Sequence, residues 1–275
     1  QTIVWTENMK SELIKYHNVD ENRIFIGGVA HWDKYYDNND YYDNDYLYNQ
    51  LGLDIQKKTI LFATKSPTRY KWSAYIIREL ANGINRGIIK HDSEILIRLH
   101  PVYLRSYNGK LIHQDIINEL LHLVDKYSFL HINIPEMESI GGIYGMDSLE
   151  MGKIASILSN TNLLINMFSS MVIEASIFNV PIINLCIPGG FDTTLSGKSR
   201  EDIMIDYYQT HNQRIIKTGG VRTVFTLEEM YSSVNEYLSN PSLDEFGRKR
   251  IVRNEAGPFR GNAGEMIGKH ILSLL

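Results

Sequence analysis

The chain has 275 residues and a net charge of −4, with 43% hydrophobic and 22% charged residues, enough for one sizeable globular core or one and a half domains. Acidic and basic residues are interspersed, which excludes the basic stripe of a nucleic-acid partner, and one cysteine, Cys186, excludes an internal disulfide and any cysteine-based zinc spacing. No apolar run approaches a membrane span and no signal peptide is visible; the first residue is Gln1, so we expect a processed or excised piece working in the cytoplasm.

Residues 1–30 read strand, helix, strand. Ile3-Val4-Trp5 is extended, Thr6 can cap, Met9, Leu13 and Ile14 form a helical stripe, and the strand Ile24-Phe25-Ile26 is closed by Gly27-Gly28. This is a parallel βαβ unit, the remnant of a second sheet that needs partner strands. Residues 33–58 are rich in Asp, Asn and Tyr and have no period. They match no calcium loop, and the expectation is a polar linker with surface tyrosines that marks a domain boundary.

From Lys58 the pattern alternates regularly. Strands are expected at 59–63, 95–97, 130–132, 163–165 and 181–185, with Val224 extended. Helices are expected around Ile76 to Leu80 and over 116–124, 148–158, 171–178, 203–208 and 227–238, with a C-terminal helix ending at Leu275. The fold class is α/β, a doubly wound parallel sheet of Rossmann-like form.

Such sheets bind ligands beyond the carboxyl ends of their strands. Three strand ends carry residues suited to anions: Thr64 and Ser66, Arg98 and His100, Ser169 and Ser170. Arg98 offers a planar fork, His100 an imidazole, and the serine pair a helix start with free amides. Glu174 follows one turn in, where a carboxylate reaches ribose hydroxyls. The alternative is that Ser169 only caps the helix and Glu174 is only a solvated helix residue. Lys198 and Arg200, in the Gly-rich loop after Pro188, either close over the site or belong to an ordinary solvated loop. Neither GxGxxG nor GxxxxGK[ST] occurs. His91, His113 and His122 stand at spacings that do not converge, so no metal is expected.

The order RLHP, then Asp147 and Leu149, then INMFSSMVIEASIFNVPIINL, then RNEAGPFRGNAGEMI resembles the nucleotide-binding C-terminal domain of GT-B-fold transferases. It is most similar to the CDP-glycerol glycerophosphotransferase-like and surface-polysaccharide glycosyltransferase group, and the HP followed by SS also resembles bacterial sialyl- and Kdo-type transferases. The resemblance implies three parts: 1–32, the end of an N-terminal acceptor-type domain; 33–58, a linker; 59–275, the nucleotide-sugar-binding domain. It implies a nucleotide-activated sugar or polyol donor, a surface-glycan or lipid-linked acceptor, no cofactor, and metal-independent transfer, with peripheral association at the inner face of the membrane. His100, Ser169 and Ser170 would contact the donor's phosphates, His100 as the catalytic residue, and Glu174 its sugar. Arg260 and Met266 depart from the family's C-terminal pattern, which has an acid and an arginine there. Two other functions share this architecture: a sugar-nucleotide 2-epimerase, which would use acidic groups in the cleft, and a non-catalytic nucleotide-sugar-binding module.

Overall fold

The computed structural model describes residues 1–37, 44–140, 143–146, 148–187 and 198–275. The chain opens with β1 (Thr2–Val4), α1 (Glu7–His17) and β2 (Ile24–Ile26). Thr6 caps α1 by accepting the Met9 amide at 3.3 Å. β1 and β2 pair in parallel, Thr2 opposite Ile24, as a separate two-stranded sheet. A 3₁₀ helix over Ala30–Tyr36 and α2 (Asn44–Leu51) follow.

The main body runs β3 (Lys58–Ala63), α3 (Ser73–Asn85), β4 (Ser93–Arg98), a small hairpin β5 (Ser106–Tyr107) and β6 (Lys110–Leu111), α4 (Gln114–Lys126) and β7 (Leu130–Asn133). A second hairpin, β8 (Met137–Ile140) and β9 (Ile143–Met146), precedes α5 (Ser148–Ser159), β10 (Leu163–Asn166), α6 (Met171–Ile177) and β11 (Ile182–Leu185). The chain ends with α7 (Lys198–Tyr208), α8 (Thr210–Ile216), β12 (Arg222–Val224), α9 (Leu227–Ser239), α10 (Glu245–Glu255) and α11 (Ala263–Leu272).

Six strands form one sheet in the order β12-β11-β10-β3-β4-β7, every pair parallel. The chain starts at β3, works outward to β7, crosses back to β10 beside β3, and works outward the other way. The reversal between β3 and β10 is a topological switch point, where the two connecting loops part and leave a crevice at the strand ends. The two-residue pleat divides the strand side chains between two cores. Ile60, Phe62, Ile95, Ile97, Leu163 and Ile165 face the layer of α3, α4 and α9. Leu61, Leu96, Leu164 and Ile182 face the layer of α5, α6 and α10. All ten are 0–1% exposed, which is why these strands read as unbroken apolar runs.

Within the stretch expected to be a polar linker with surface tyrosines, Tyr35 departs from that reading. Tyr35 is 3% exposed and, with Trp32 just before the stretch, belongs to the second core, so the 3₁₀ segment packs under α5. The helix Asn44–Leu51 also lies within it. Sequence periodicity fails here because the segment is anchored at isolated aromatic positions with polar residues between them. The C-terminal helix ends at Leu272, short of Leu275, and α8, α10 and the two hairpins were not anticipated. Cys186 is fully buried as expected.

Candidate functional site

The site is built on the turn that joins β10 to α6. Asn166 ends the strand fully buried, and its Oδ1 accepts from the Ser169 amide at 3.2 Å and from the Ser169 hydroxyl at 3.3 Å. Phe168 is thereby held at φ 49°, a left-handed conformation that costs a bulky residue about 1–2 kcal/mol. The turn aims Ser169, Ser170 and the start of α6 at the crevice, and the Ser170 and Met171 amides have no partner among the described residues. Neither serine caps the helix with its side chain, so the capping-only alternative fails: the Ser170 hydroxyl donates to Glu174 at 3.3 Å.

The neighbouring strand ends complete a cavity of about 250 Å³ lined by Thr64, Arg98, His100, Ser169, Ser170 and Glu174. Six of the seven residues singled out from the sequence therefore meet. Ser66 does not: its hydroxyl sits 2.8 Å from that of Thr68, and its carbonyl accepts the Arg69 and Tyr70 amides at 2.9 and 3.0 Å, closing the turn beyond the cavity. The Thr64 hydroxyl stitches the strand ends together, donating to the Arg98 carbonyl at 3.2 Å and accepting the His100 amide at 2.8 Å. The Gly-rich loop, residues 188–197, lies outside the described residues, as do the side chains of Lys198 and Arg200.

Three environments set the chemistry. The His100 Nδ1 accepts the Val102 amide at 3.1 Å, so the neutral ring carries its proton on Nε2. Burial lowers the pKa of His100 below the ordinary imidazole value, and the charges of Lys65 and Arg105 lower it further. Arg98 is 5% exposed and is not a free fork. One terminal nitrogen bonds Asn133 and the other pairs with Glu150 at 2.5 Å, a carboxylate 1% exposed on α5. Glu174 is buried rather than solvated, and burial raises its pKa against the pull of hydrogen bonds from Tyr35 and Ser170 and the charge of Arg98. Its oxygens are engaged within the protein, so the expected reach to a ribose needs one of these bonds to open.

Tyr35, Glu150 and Asn133 escaped the sequence reading, and Lys65 is not among the site residues it names. Lys65 had a signal, since it stands between Thr64 and Ser66 in the turn already singled out; it pairs with Asp206 of α7 at 2.5 Å and donates to the Met167 carbonyl at 3.1 Å. The other three carry none, because each earns its place through a contact far away in sequence. Among the described residues, no group of three or more His, Cys, Asp or Glu side chains converges to hold a metal ion.

The wall teichoic acid polymerase TagF shares this fold with a TM-score of 0.59 at 15% identity, covering 98% of this chain and 56% of TagF. MnaA of S. aureus in complex with UDP gives 0.57 at 16% identity, covering 98% of this chain and 60% of MnaA. The UDP-GlcNAc 2-epimerase of Neisseria meningitidis bound to UDP-GlcNAc gives 0.55 at 14% identity, with 98% and 60% covered. At such identities the likeness shows the fold alone, and the chain spans less than two thirds of the length of each. No curated protein matches the sequence. The family description CDP-glycerol:poly(glycerophosphate) glycerophosphotransferase matches residues 2–187, about two thirds of the chain, and this chain belongs to that family.

Proposed function

We propose that this chain is the donor-nucleotide half of a transferase that moves a polyol phosphate from a nucleotide-activated donor to a hydroxyl of a surface-glycan or lipid-linked acceptor. The observation that carries the reading is the meeting of Thr64, Arg98, His100, Ser169 and Ser170, from three strand ends, in one cavity at the switch point. Family membership supports it, as does the fold shared with a TagF variant soaked with CDPG, at a TM-score of 0.58. With a CDP-glycerol donor, the acceptor oxygen bonds the β-phosphorus and the bond from that phosphorus to the bridging oxygen breaks. CMP leaves with the electron pair, and the acceptor proton passes to a base. His100 is not that base, because its Nδ1 is occupied and its Nε2 carries the proton. It acts as a hydrogen-bond donor to the departing phosphate, together with the Ser170 and Met171 amides. In this reading no divalent cation is required, and turnover persists in EDTA. The protein works in the cytoplasm, at the inner face of the membrane.

Epimerase chemistry needs acidic groups free in the cleft. The one carboxylate lining this cavity among the described residues, Glu174, is held by Tyr35 and Ser170, which favours transfer. A thermal-shift panel of UDP, CMP, CDP and GDP identifies the nucleotide by linkage. In the full-length protein, Ser170→Ala should weaken the nucleoside diphosphate by about 1.5–3 kcal/mol and the nucleoside by about 1 kcal/mol or less. His100→Ala should lower kcat by roughly 10²-fold. Equal losses for nucleoside and diphosphate would remove Ser170 from the phosphate site, and full turnover without the imidazole would make His100 structural. Nucleotide binding with no transfer to any glycan or lipid acceptor would leave a binding module.

A further inference from the structure

We infer that a second cavity, behind the Ser169–Ser170 turn, is the subsite for a neutral sugar ring at the end of the acceptor. This rests on the reading of the first cavity as the donor-phosphate site, because the two cavities share Ser169 and Ser170 as a common wall. A group seated in the second therefore lies against the turn from which transfer would proceed. Its volume is about 370 Å³, within the ~300–1,000 Å³ usual for small-molecule sites.

The walls have the two-sided chemistry that a pyranose presents, with apolar C–H faces and a rim of hydroxyls. Trp5, Met9, Phe168 and Ile173 supply apolar surface. Trp5 is 37% exposed, yet its indole is backed by the buried Trp32 at 5.5 Å between ring centres, so it is a fixed platform with an open side. Ser169, Ser170, His211 and Glu12 add hydrogen-bonding groups at the same cavity.

Charge decides against a phosphate terminus. Among the described residues Arg214 is the only Lys or Arg lining the cavity, and two carboxylates already hold it: Glu255 at 2.9 Å from Nε and Glu12 at 2.6 Å from a terminal nitrogen. Glu12 and Glu255 against Arg214 leave a surplus of negative charge, and an incoming phosphate would be repelled. Past Thr6 and Arg214 the second cavity adjoins a larger one of about 720 Å³ that holds Arg253 and Arg260, which gives the rest of a long acceptor a way out.

The test uses the full-length protein and saturation-transfer NMR with methyl glycosides of hexoses and N-acetylhexosamines, their disaccharides, and glycerol 3-phosphate. At least one saccharide should respond at millimolar concentration and glycerol 3-phosphate should not. Trp5→Phe should retain the response and Trp5→Ala should weaken it about tenfold, while the CDP thermal shift stays that of the parent in both. Glu12→Gln should raise the response to glycerol 3-phosphate, because Arg214 then answers to one carboxylate. A preference for glycerol 3-phosphate in the parent protein, no saccharide response, or a saccharide response untouched by Trp5→Ala would overturn the subsite. Absence of a CDP shift in the parent protein, with the saccharide pattern intact, would instead overturn the donor reading.

Discussion

β3 and β10 of the main sheet and β1 and β2 of the N-terminal unit are both parallel pairs of short apolar strands, but they are held by different forces. β3 and β10 lie inside a six-stranded ladder, and each has a hydrogen-bonded neighbour on both sides. The ends that carry Thr64 and Asn166 are therefore fixed by backbone pairing, and the cavity residues inherit that rigidity. Among the described residues β1 and β2 pair only with each other, and α1 beside them buries none of its residues. That unit is held in place by side chains from the far end of the chain. Phe25 stacks on His270 at 3.9 Å, Asn8 donates to Glu255 at 3.3 Å, and Glu12 pairs with Arg214. Asp33 caps α11 from outside the helix, accepting the Ala263 and Gly264 amides at 2.9 and 2.8 Å. The comparison teaches that the side of the cavity carrying Thr64, His100, Ser169 and Ser170 is preformed by the sheet. The side facing the second cavity depends on docking between chain ends more than two hundred residues apart.

The hardest way to break the first region is to remove Arg98. Arg98→Met leaves Glu150 buried without its partner, and we expect a loss of about 3–5 kcal/mol in urea unfolding, toward the lower end because Lys153 stays 4.0 Å away. Arg98→Met with Glu150→Met should recover most of that loss. Unchanged stability with lost donor affinity would instead make Arg98 a free phosphate ligand.

A smaller effect separates the second region. Gly257 has φ +80°, and a Cβ there would stand 2.7 Å from both the Gly28 Cα and the Trp5 carbonyl oxygen. Gly257→Ala should cost about 2–3 kcal/mol from overpacking and left-handed strain. Hydrogen exchange should show the loss concentrated in residues 2–26 with β3, β4 and β10 protected. Uniform loss of protection would mean that the two regions unfold as one.

The smallest effect lies where the regions meet. Tyr35→Phe removes one donor to the buried Glu174 and should cost about 1–3 kcal/mol. The sign with pH follows from the raised Glu174 pKa. The folded state binds more protons than the unfolded one, so stability falls as pH rises from the ordinary carboxylate value through the folded one. Tyr35 lowers that pKa, so its removal widens the window, and the cost of the variant should grow from pH 4 to pH 8. A cost that is flat with pH would show that Glu174 does not rely on Tyr35.

Amino-acid order by itself pointed to the main sheet, since short apolar runs such as Thr59–Ala63 and Leu163–Ile165 alternate with helical stretches, the pattern of strands buried on both faces of a parallel sheet. It also placed Thr64, Arg98, His100, Ser169, Ser170 and Glu174 at one edge, because parallel strands all end on the same side and polar residues at those ends have one crevice to meet in. Only the tertiary structure decided what those side chains are free to do. It set Glu150 against Arg98, Tyr35 against Glu174 and Val102 against the His100 ring, and it turned Ser66 away. Hydrophobic periodicity reports which face of an element is buried. It carries no information about which distant polar group will meet a buried charge, and that pairing fixes protonation, hydrogen-bond direction and chemistry at this site.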